Sequence, residues 1–342
     1  MNISLLSIFS RLVFLIALVA SPLCSAQIFN PPDGAWLAGL YPKTALKKFD
    51  YLGIKNVAGQ LGLTRKYIVY VPASYDPATP TPLLFCFHGS SQLTQMFCIT
   101  GSNVKHSDEV SIFPSEAGFQ RISDEKNVIL VMIQGFSNSW NSGDCCGLAQ
   151  LFNLNDVALV RAIFLEIQQH LNVDRSRVYA VGFSNGAFFA NRLACEASDI
   201  FVGIVSGSGG IHLNPLKKCA PSNNVNVLEI HGTWDFSVAY FDAKKSVAYW
   251  AKKNGCSVTS SNASFLFNKE GDTQCISYEG CNENGHVTFC TVERGGHCWF
   301  GSFSCGTGLG AMGSELSLMF GKNSDSMVNT DAVWPFLSQF SR

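Results

Sequence analysis

Short apolar runs alternate with helical patterns along most of the chain, and this alternation constrains the fold more than any other feature. Apolar side chains have helical spacing at 156–170, 187–194 and 247–254, and Thr330 is placed to cap a last helix that ends at Phe340. Strands are predicted at 67–71, 83–87, 128–133, 178–181, 201–206, 225–230 and 287–292. The alternation predicts an α/β fold with a mostly parallel sheet and helices on both faces. In such a sheet the ligand crevice lies beyond the carboxyl ends of the strands.

The N-terminal residues 1–26 have the pattern of a secretory signal peptide. Arg11 is the only charge before Asp33, residues 12–20 form a short apolar core, and Ser25 and Ala26 provide small residues for cleavage. The apolar run is short for a membrane span, although a retained signal anchor is the alternative. We therefore expect a secreted protein that has no membrane contact after cleavage. Residues 27–342 are then expected to form a single domain.

Cysteine usage agrees with secretion. The chain has 13 cysteines, and an even number remains if cleavage follows Ala26, which predicts disulfides rather than metal binding. No Cys-x-x-Cys pair with a distant partner pair indicates a zinc site, so no metal is expected. Cys86 lies in an apolar run and is expected to be a buried thiol. The first pairs to test are Cys195 with Cys219, and Cys256 with Cys275 or Cys281.

The charge balance excludes some partners. The net charge of −1 argues against nucleic acid as a partner. Charged residues make up 14% of the sequence, well below the about 25% of average domains. Such a surface depends on small polar residues for solubility, which suits an extracellular protein. Asn262 lies in a glycosylation sequon if the host is eukaryotic. The sequence does not predict an oligomeric state.

The pentapeptide Gly182-Phe183-Ser184-Asn185-Gly186 lies between a predicted strand and a predicted helix. A serine nucleophile must project from a tight strand-to-helix turn, and flanking glycines permit that turn because they bring no Cβ into the crowded space. Ser184 is therefore the candidate nucleophile. The alternative is a packing turn with an incidental serine.

A nucleophilic serine needs a base and an orienting carboxylate, which in this strand–turn–helix arrangement follow it in the order acid, then histidine. His297 is the candidate base because it lies in a glycine-flanked loop after the strand at 287–292. Asp235 follows the strand at 225–230 and is the candidate acid, with an ordinary turn aspartate as the alternative. His231 is expected to support that loop through hydrogen bonds. Two other downstream histidines are weaker candidates: His212, which has no acid nearby, and His286, in a polar turn.

Two backbone N–H groups are candidates for stabilising an oxyanion. Asn185 begins the predicted helix, and Ser90 follows His88-Gly89 at the end of an early strand. Three tryptophans, Trp140, Trp234 and Trp299, lie near these segments. They are candidates for flanking an aromatic acyl group, although core packing is the commoner fate of tryptophan.

Several ordered segments together resemble the polyhydroxybutyrate depolymerase and feruloyl esterase family of secreted α/β-hydrolase esterases. The resemblance covers about residues 60–300, and its segments are 70–76, 87–89, 140–147, 174–179, 182–186, 231–235 and 295–299. It implies an α/β-hydrolase fold, here disulfide-stabilised, with Ser184 as nucleophile, Asp235 as triad acid and His297 as base. It also implies that His88-Gly89 forms the oxyanion loop and that no cofactor is needed. Segments 98–115 and 298–310 depart from the family pattern, which bears on the substrate rather than on the triad.

The expected reaction is a two-step acyl transfer on an ester substrate. Feruloyl esters of plant polysaccharide are the first expectation and poly(3-hydroxybutyrate) is the second, because no linker or polymer-binding module is visible. A catalytically inactive hydrolase scaffold that binds carbohydrate or protein is the alternative from a different class. The intact Ser184, Asp235 and His297 argue against it.

Overall fold

The computed structural model describes residues 46–51, 63–90, 117–211, 219–263, 271–302, 305, 323–324 and 326–342. All of them belong to one compact unit, Pro31–Arg342. The expected signal peptide, His212 and the segments 98–115 and 306–310 lie outside the described residues. Elements are numbered below in chain order within the described residues.

The described strands form one 10-stranded sheet in the order β1-β2-β4-β3-β5-β6-β7-β10-β9-β8. Strands β3 to β7 and β10 pair in parallel, whereas β1 and β2 at one edge and β8 and β9 at the other pair antiparallel. The predicted mostly parallel sheet is confirmed. The strands are β1 Leu46–Tyr51, β2 Leu63–Tyr70, β3 Thr81–Phe87, β4 Ile129–Ile133, β5 Val173–Phe183, β6 Gly203–Gly207, β7 Asn226–Gly232, β8 Ser260–Asn262, β9 Thr273–Tyr278 and β10 Val287–Val292.

The central strands are buried on both faces, as expected for a sheet covered by helices. Every residue of β3, β4, β6 and β7 is buried. Leu83, Phe85 and Phe87 of β3 belong to an apolar cluster with the helices Asp156–Ile167, Asn185–Glu196 and Tyr240–Lys253. On the other face, α6 lies over β6, where Leu337 approaches Gly203. The helices are α1 Phe119–Lys126, α2 Gly147–Leu151, α3 Asp156–Ile167, α4 Asn185–Glu196, α5 Tyr240–Lys253 and α6 Asn329–Leu337.

The predicted helix cap at Thr330 is wrong. Helix α6 begins at Asn329, so Thr330 lies inside the first turn. Its hydroxyl accepts a hydrogen bond from the Trp299 indole N–H at 2.9 Å and donates to the carbonyl oxygen of Ala117. The hydroxyl therefore joins three separate segments instead of capping its own helix. None of the described helices is long and apolar enough to cross a membrane.

The disulfide predictions are partly confirmed. Cys195 pairs with Cys219, and Cys256 pairs with Cys281. The alternative partner Cys275 is wrong, because its position on β9 lies directly opposite Cys290 of β10, with which it is bonded. The expectation of a buried thiol at Cys86 is also wrong, since Cys86 is disulfide-bonded. Among the described residues, Cys145 also pairs with Cys146, and Cys298 with Cys305.

Candidate active site

Ser184 lies at the tip of the turn between β5 and α4. Its backbone has φ 54° and ψ −119°, a conformation that is uncommon for a residue with a side chain. The Ser184 N–H donates to the carbonyl oxygen of Gly207 on β6 at 2.9 Å, which holds the turn against the neighbouring strand. The surrounding structure thus maintains a strained backbone that points the hydroxyl beyond the end of the sheet.

The glycines on either side of Ser184 are required by close backbone approach. A Cβ at Gly182 would collide with the carbonyl group of Gly186. A Cβ at Gly186 would collide with the carbonyl oxygens of Phe87 and His88. Because nothing larger than hydrogen fits at Gly186, the end of β3 lies directly against the turn that carries Ser184. The same contact brings the segment after β3 to the candidate nucleophile.

The structure brings together the three predicted triad residues from the carboxyl ends of three parallel strands. The Ser184 Oγ lies 2.9 Å from His297 Nε2, and His297 Nδ1 lies 2.8 Å from Asp235 Oδ2. Asp235 and His297 are 5% and 6% exposed, so both are shielded from bulk water while Ser184 is half-buried. The result is one continuous hydrogen-bonded chain from hydroxyl to imidazole to carboxylate.

The partners of Asp235 determine the state of His297. Oδ1 of Asp235 accepts hydrogen bonds from the N–H groups of Ser237 and Val238 at 2.9 and 2.7 Å. Burial raises the pKa of the Asp235 carboxyl, but hydrogen bonds from His231 and His297 outweigh it and hold the pKa well below its usual value. An ionised carboxylate can only accept, so Nδ1 of His297 donates to it, which leaves Nε2 of the neutral ring free to accept from the Ser184 hydroxyl.

His231 supports the loop that carries Asp235, as predicted. Its Nε2 lies 2.9 Å from the carbonyl oxygen of Val238 and 3.2 Å from Asp235 Oδ2. Its Nδ1 lies 3.4 Å from Oε1 of Glu229, which sequence reasoning did not single out. The available signal was an acidic residue inside the mostly apolar strand 225–230, two positions before a histidine.

The expected oxyanion loop is braced by the imidazole of His88. Its Nδ1 donates to the carbonyl oxygen of Gly89 at 2.7 Å, and its Nε2 accepts from the N–H of Gly135 at 2.9 Å. The C=O and N–H of a trans peptide point in opposite directions, so the N–H of Ser90 points away from the His88 ring. The N–H of Asn185 is the first of α4 and has no partner within the helix. Both predicted oxyanion donors thus lie on the two segments that meet at Gly186.

The side chain of Asn185 holds the segment 140–147 against the nucleophile turn. Its Oδ1 accepts from the N–H of Trp140 at 2.7 Å, and its Nδ2 donates to the carbonyl oxygen of Trp140 and to the Ser142 hydroxyl at 3.1 and 3.2 Å. Asp156 at the start of α3 accepts from the N–H of Asn141 at 2.8 Å. These contacts explain why the polar residues Asn141 and Ser142 are buried beside the turn that carries Ser184.

The three candidate tryptophans have different surroundings. Trp140 is fully buried, stacks on Phe189 at 5.2 Å between ring centroids, and donates its indole N–H to the carbonyl oxygen of His88. Trp299 is 2% exposed. Trp234 is 51% exposed, and of the three it alone presents a large surface beside the triad acid. The two buried rings therefore support the site rather than face an incoming ligand.

A metal centre is not assembled by the part of the chain that the structure describes. Within it, no group of three or more His, Cys, Asp or Glu side chains is arranged to hold a metal ion. The side chains that meet at Ser184 instead have the arrangement required for nucleophilic attack by a hydroxyl.

Comparison with known proteins shows similarity to esterases. A family model described as phospholipase/carboxylesterase matches residues 150–264, a stretch that contains Ser184 and Asp235. Feruloyl esterase B of Piromyces equi is 27% identical over 254 residues, which are 68% of this chain and 42% of that protein. Feruloyl esterase C of Emericella nidulans is 26% identical over 284 residues, which are 82% of this chain and 90% of that protein. The chain thus spans less than half of the first relative and most of the second.

A solved structure with a similar fold is the acetyl xylan esterase from Aspergillus awamori. The likeness has a TM-score of 0.50 at 12% sequence identity and covers 74% of this chain and 93% of that chain. At this identity the likeness bears on the fold alone.

Proposed function

We propose that this chain, which is similar to carboxylesterases and feruloyl esterases, hydrolyses carboxylic esters, with Ser184 as nucleophile, His297 as base and Asp235 as triad acid. The observation that carries this proposal is the continuous hydrogen-bonded chain from Ser184 Oγ through His297 to Asp235. Incidental serines in packing turns have no reason to be aligned with a buried imidazole–carboxylate pair.

The reaction proceeds by two acyl transfers. His297 Nε2 takes the hydroxyl proton while Ser184 Oγ attacks the ester carbonyl carbon, and the same proton is then given to the leaving alcohol. This leaves an acyl group on Ser184. Water attacks the acyl group, again losing its proton to His297, and the carboxylic acid departs as Ser184 is restored. Asp235 orients the ring and stabilises the imidazolium that forms in each step.

The N–H groups of Asn185 and Ser90 stabilise the oxyanion in both steps. Their positions fit this role because α4 begins at Asn185 and because the His88 ring fixes the peptide that precedes Ser90. Each such donor contributes about 3 kcal/mol of transition-state stabilisation when it is aimed at the developing charge. Since both are backbone groups, replacing their side chains does not remove them.

The proposed substrates are hydroxycinnamic esters such as the feruloyl esters of plant polysaccharide, and the protein acts outside the cell. Two relatives that match over 68% and 82% of this chain are feruloyl esterases by name. The loop that carries Asp235 exposes Trp234 by 51% and Phe236 by 74%, which provides apolar surface for an aromatic acyl group. Disulfides such as Cys195–Cys219 support an oxidising compartment.

A fluorophosphonate probe tests the nucleophile without requiring knowledge of the substrate. We expect the unaltered protein to be labelled, and Ser184→Ala and His297→Ala not to be. Ser74→Ala is the matched control, because Ser74 is exposed on the loop that enters β3, at the amino end of the parallel strands and so at the opposite end from the site. Equal labelling of all four proteins would contradict the proposed mechanism. Failure to label the folded, unaltered protein would favour an inactive binding scaffold.

A comparison of two ester classes tests the substrate. We expect methyl ferulate to be hydrolysed with a higher kcat/KM than soluble 3-hydroxybutyrate oligomers. The reverse order would replace the feruloyl assignment with a polyester depolymerase, while leaving the roles of Ser184 and His297 unchanged.

A further inference from the structure

A second buried ionisable pair lies behind the triad acid, and the reaction described above does not use it. Glu229 and His231 are both 0% exposed and follow each other on β7 at alternate positions, so their side chains leave the same face of the strand. His231 contacts the same Asp235 oxygen, Oδ2, that accepts from His297. Asp235 is therefore shared between two imidazoles.

With Glu229 and Asp235 both ionised, the contacts of His231 are satisfied by the charged ring alone. Its Nδ1 faces Oε1 of Glu229 at 3.4 Å, and its Nε2 faces the carbonyl oxygen of Val238 at 2.9 Å and Oδ2 of Asp235 at 3.2 Å. Each of these oxygens is an acceptor when both carboxyls are ionised. A neutral imidazole has only one N–H, so only the imidazolium donates on both sides.

His297 has the opposite arrangement. Its Nδ1 faces a carboxylate, but its Nε2 faces the hydroxyl of Ser184, which can donate. A neutral ring satisfies both contacts. Asp235 thus separates a charged histidine on one side from a neutral histidine on the other.

The other groups around His231 add no further full charge at neutral pH. Thr291 of β10 lies opposite His231 in the sheet, and its hydroxyl is 2.8 Å from the Tyr240 hydroxyl. The Tyr240 ring of α5 is 6.2 Å from the His231 ring. Within the described residues, the ionisable groups that face His231 are therefore Glu229 on its own strand, Asp235 on the next loop and Tyr240 on the packed helix.

Glu229 is itself held inside the sheet. It pairs with Ser206 in the register of β6 and β7, its Oε1 faces His231, and its Oε2 is buried without a hydrogen-bond partner. Burial raises the pKa of the Glu229 carboxyl, and His231 opposes that rise. Burial alone would lower the pKa of His231, but hydrogen bonds to Asp235 and Glu229 raise it to about 10. With Glu229 ionised, the pair is an internal salt bridge whose positive member lies beside the proposed triad acid.

We propose that His231, held as an imidazolium by Glu229, is a positioning residue that opposes protonation of His297 and so keeps the triad active at lower pH; this inference rests on the proposed function. Protonating His297 places a second positive charge on the same carboxylate. When His231 already neutralises part of the negative charge of Asp235, the carboxylate stabilises a positive charge on His297 less strongly. His231 therefore extends the acidic limit at which His297 still acts as a base.

The variant His231→Gln tests this effect, because glutamine keeps an N–H donor and removes the charge. A neighbouring charge within about 4–6 Å shifts a titration midpoint by about 1–3 units. We expect the acidic midpoint of the pH profile of the fluorophosphonate labelling rate to rise by about one pH unit. At a pH one unit below the original midpoint, the variant should then be labelled about tenfold more slowly than the unaltered protein. His286→Gln is the matched control, since His286 lies in an exposed turn, and it should leave the midpoint unchanged. An unchanged midpoint in folded His231→Gln would overturn the inference.

Histidine NMR of the unaltered protein provides a readout that needs neither the variant to fold nor the enzyme to act. We expect the ring signals of His231 to remain those of an imidazolium from pH 5 to about 8. Glu229→Gln should lower the pH at which these signals titrate. A neutral His231 at pH 7 would overturn the inference even if ester hydrolysis is confirmed. Conversely, a charged His231 in a protein that no fluorophosphonate labels would count against the proposed function alone.

Discussion

The two sides of the site are built in different ways. On the nucleophile side, the turn at 182–186 is defined by backbone contacts so close that a Cβ at Gly186 would overlap two carbonyl oxygens. On the acid side, the loop after β7 is defined by side-chain contacts to Asp235, and it leaves Trp234 and Phe236 largely exposed. The nucleophile side therefore does not tolerate a larger residue at Gly186, whereas the acid side combines a fixed carboxylate with exposed aromatic surface.

The difference separates chemistry from recognition. The nucleophile turn presents a hydroxyl and backbone N–H groups, which suit any ester carbonyl. The acid loop carries Asp235, the proposed triad acid, and two aromatic side chains that are largely exposed. Changes on the nucleophile side should abolish activity or folding, whereas changes on the acid side should divide into loss of rate at Asp235 and loss of affinity at Trp234.

The largest expected effect is at Asp235. Asp235→Asn places an amide against the Nδ1–H of His297, favours the wrong tautomer, and leaves His231 with one carboxylate partner fewer. We expect kcat/KM for a model ester at pH 7 to fall about ten-thousandfold. Asp242→Asn is the matched control, because Asp242 is a half-exposed acid near the start of α5. A loss of less than tenfold at Asp235 would show that the acid side does not contribute a charge to the reaction.

The next effect is at Gly186. Gly186→Ala forces the end of β3 away from the nucleophile turn, so we expect at least about a hundredfold loss of activity, the typical result of misplacing reacting groups by about 1 Å. The free energy of unfolding should fall by about 3 kcal/mol or more, because the clash is with backbone. Thermal unfolding and labelling rate measure the two effects. Gly271→Ala is the control, since its nearest neighbour would lie 3.1 Å away. Equal behaviour of the two variants would remove the argument for a rigid nucleophile turn.

The central fold was predictable because its signals are local. Buried parallel strands are largely apolar runs, and β10 was predicted at 287–292 with the bounds that the structure has. The strands β1, β8 and β9 and the helices α1 and α2 were not predicted, since they are short or polar. Helix α5 begins at Tyr240, before the predicted start at 247. The prediction starts too late because the first turns carry exposed residues that obscure the apolar spacing.

Residues of the site that are recognised by a motif and by their order along the chain could be predicted. Residues whose surroundings depend on packing between distant segments could not. Ser184, Asp235 and His297 were identified from a glycine motif and from their order after strands. The burial of Trp140 depends on contacts with Phe189 and His88, which are distant in sequence, so no local pattern distinguishes it from exposed Trp234. Glu229 was missed because one acidic residue scarcely alters an apolar run, although burial of such a residue requires a partner.

A smaller effect on the nucleophile side is expected at Asn185. Asn185→Ala removes the three side-chain hydrogen bonds that hold the segment 140–147 but keeps the backbone N–H. We expect the free energy of unfolding to fall by about 2–3 kcal/mol, with about tenfold loss of activity. Ser142→Ala, which removes one of those bonds, should have a smaller effect on both. If Asn185→Ala were as inactive as Ser184→Ala, the side chain would have a direct role in the reaction.

The smallest effect is expected at Trp234 and should depend on the substrate. Trp234→Ala removes an exposed ring beside Asp235 without altering the carboxylate, so kcat should stay within about twofold. KM for methyl ferulate should rise about fivefold, as expected for losing about 1 kcal/mol of apolar contact. KM for an acetyl ester should not change, because the short acyl group does not reach the ring. Phe241→Ala removes another exposed aromatic ring, on α5, and serves as the control. An equal loss with both esters would mean that Trp234 shapes the acid loop, and the division between chemistry and recognition on that side would then have to be abandoned.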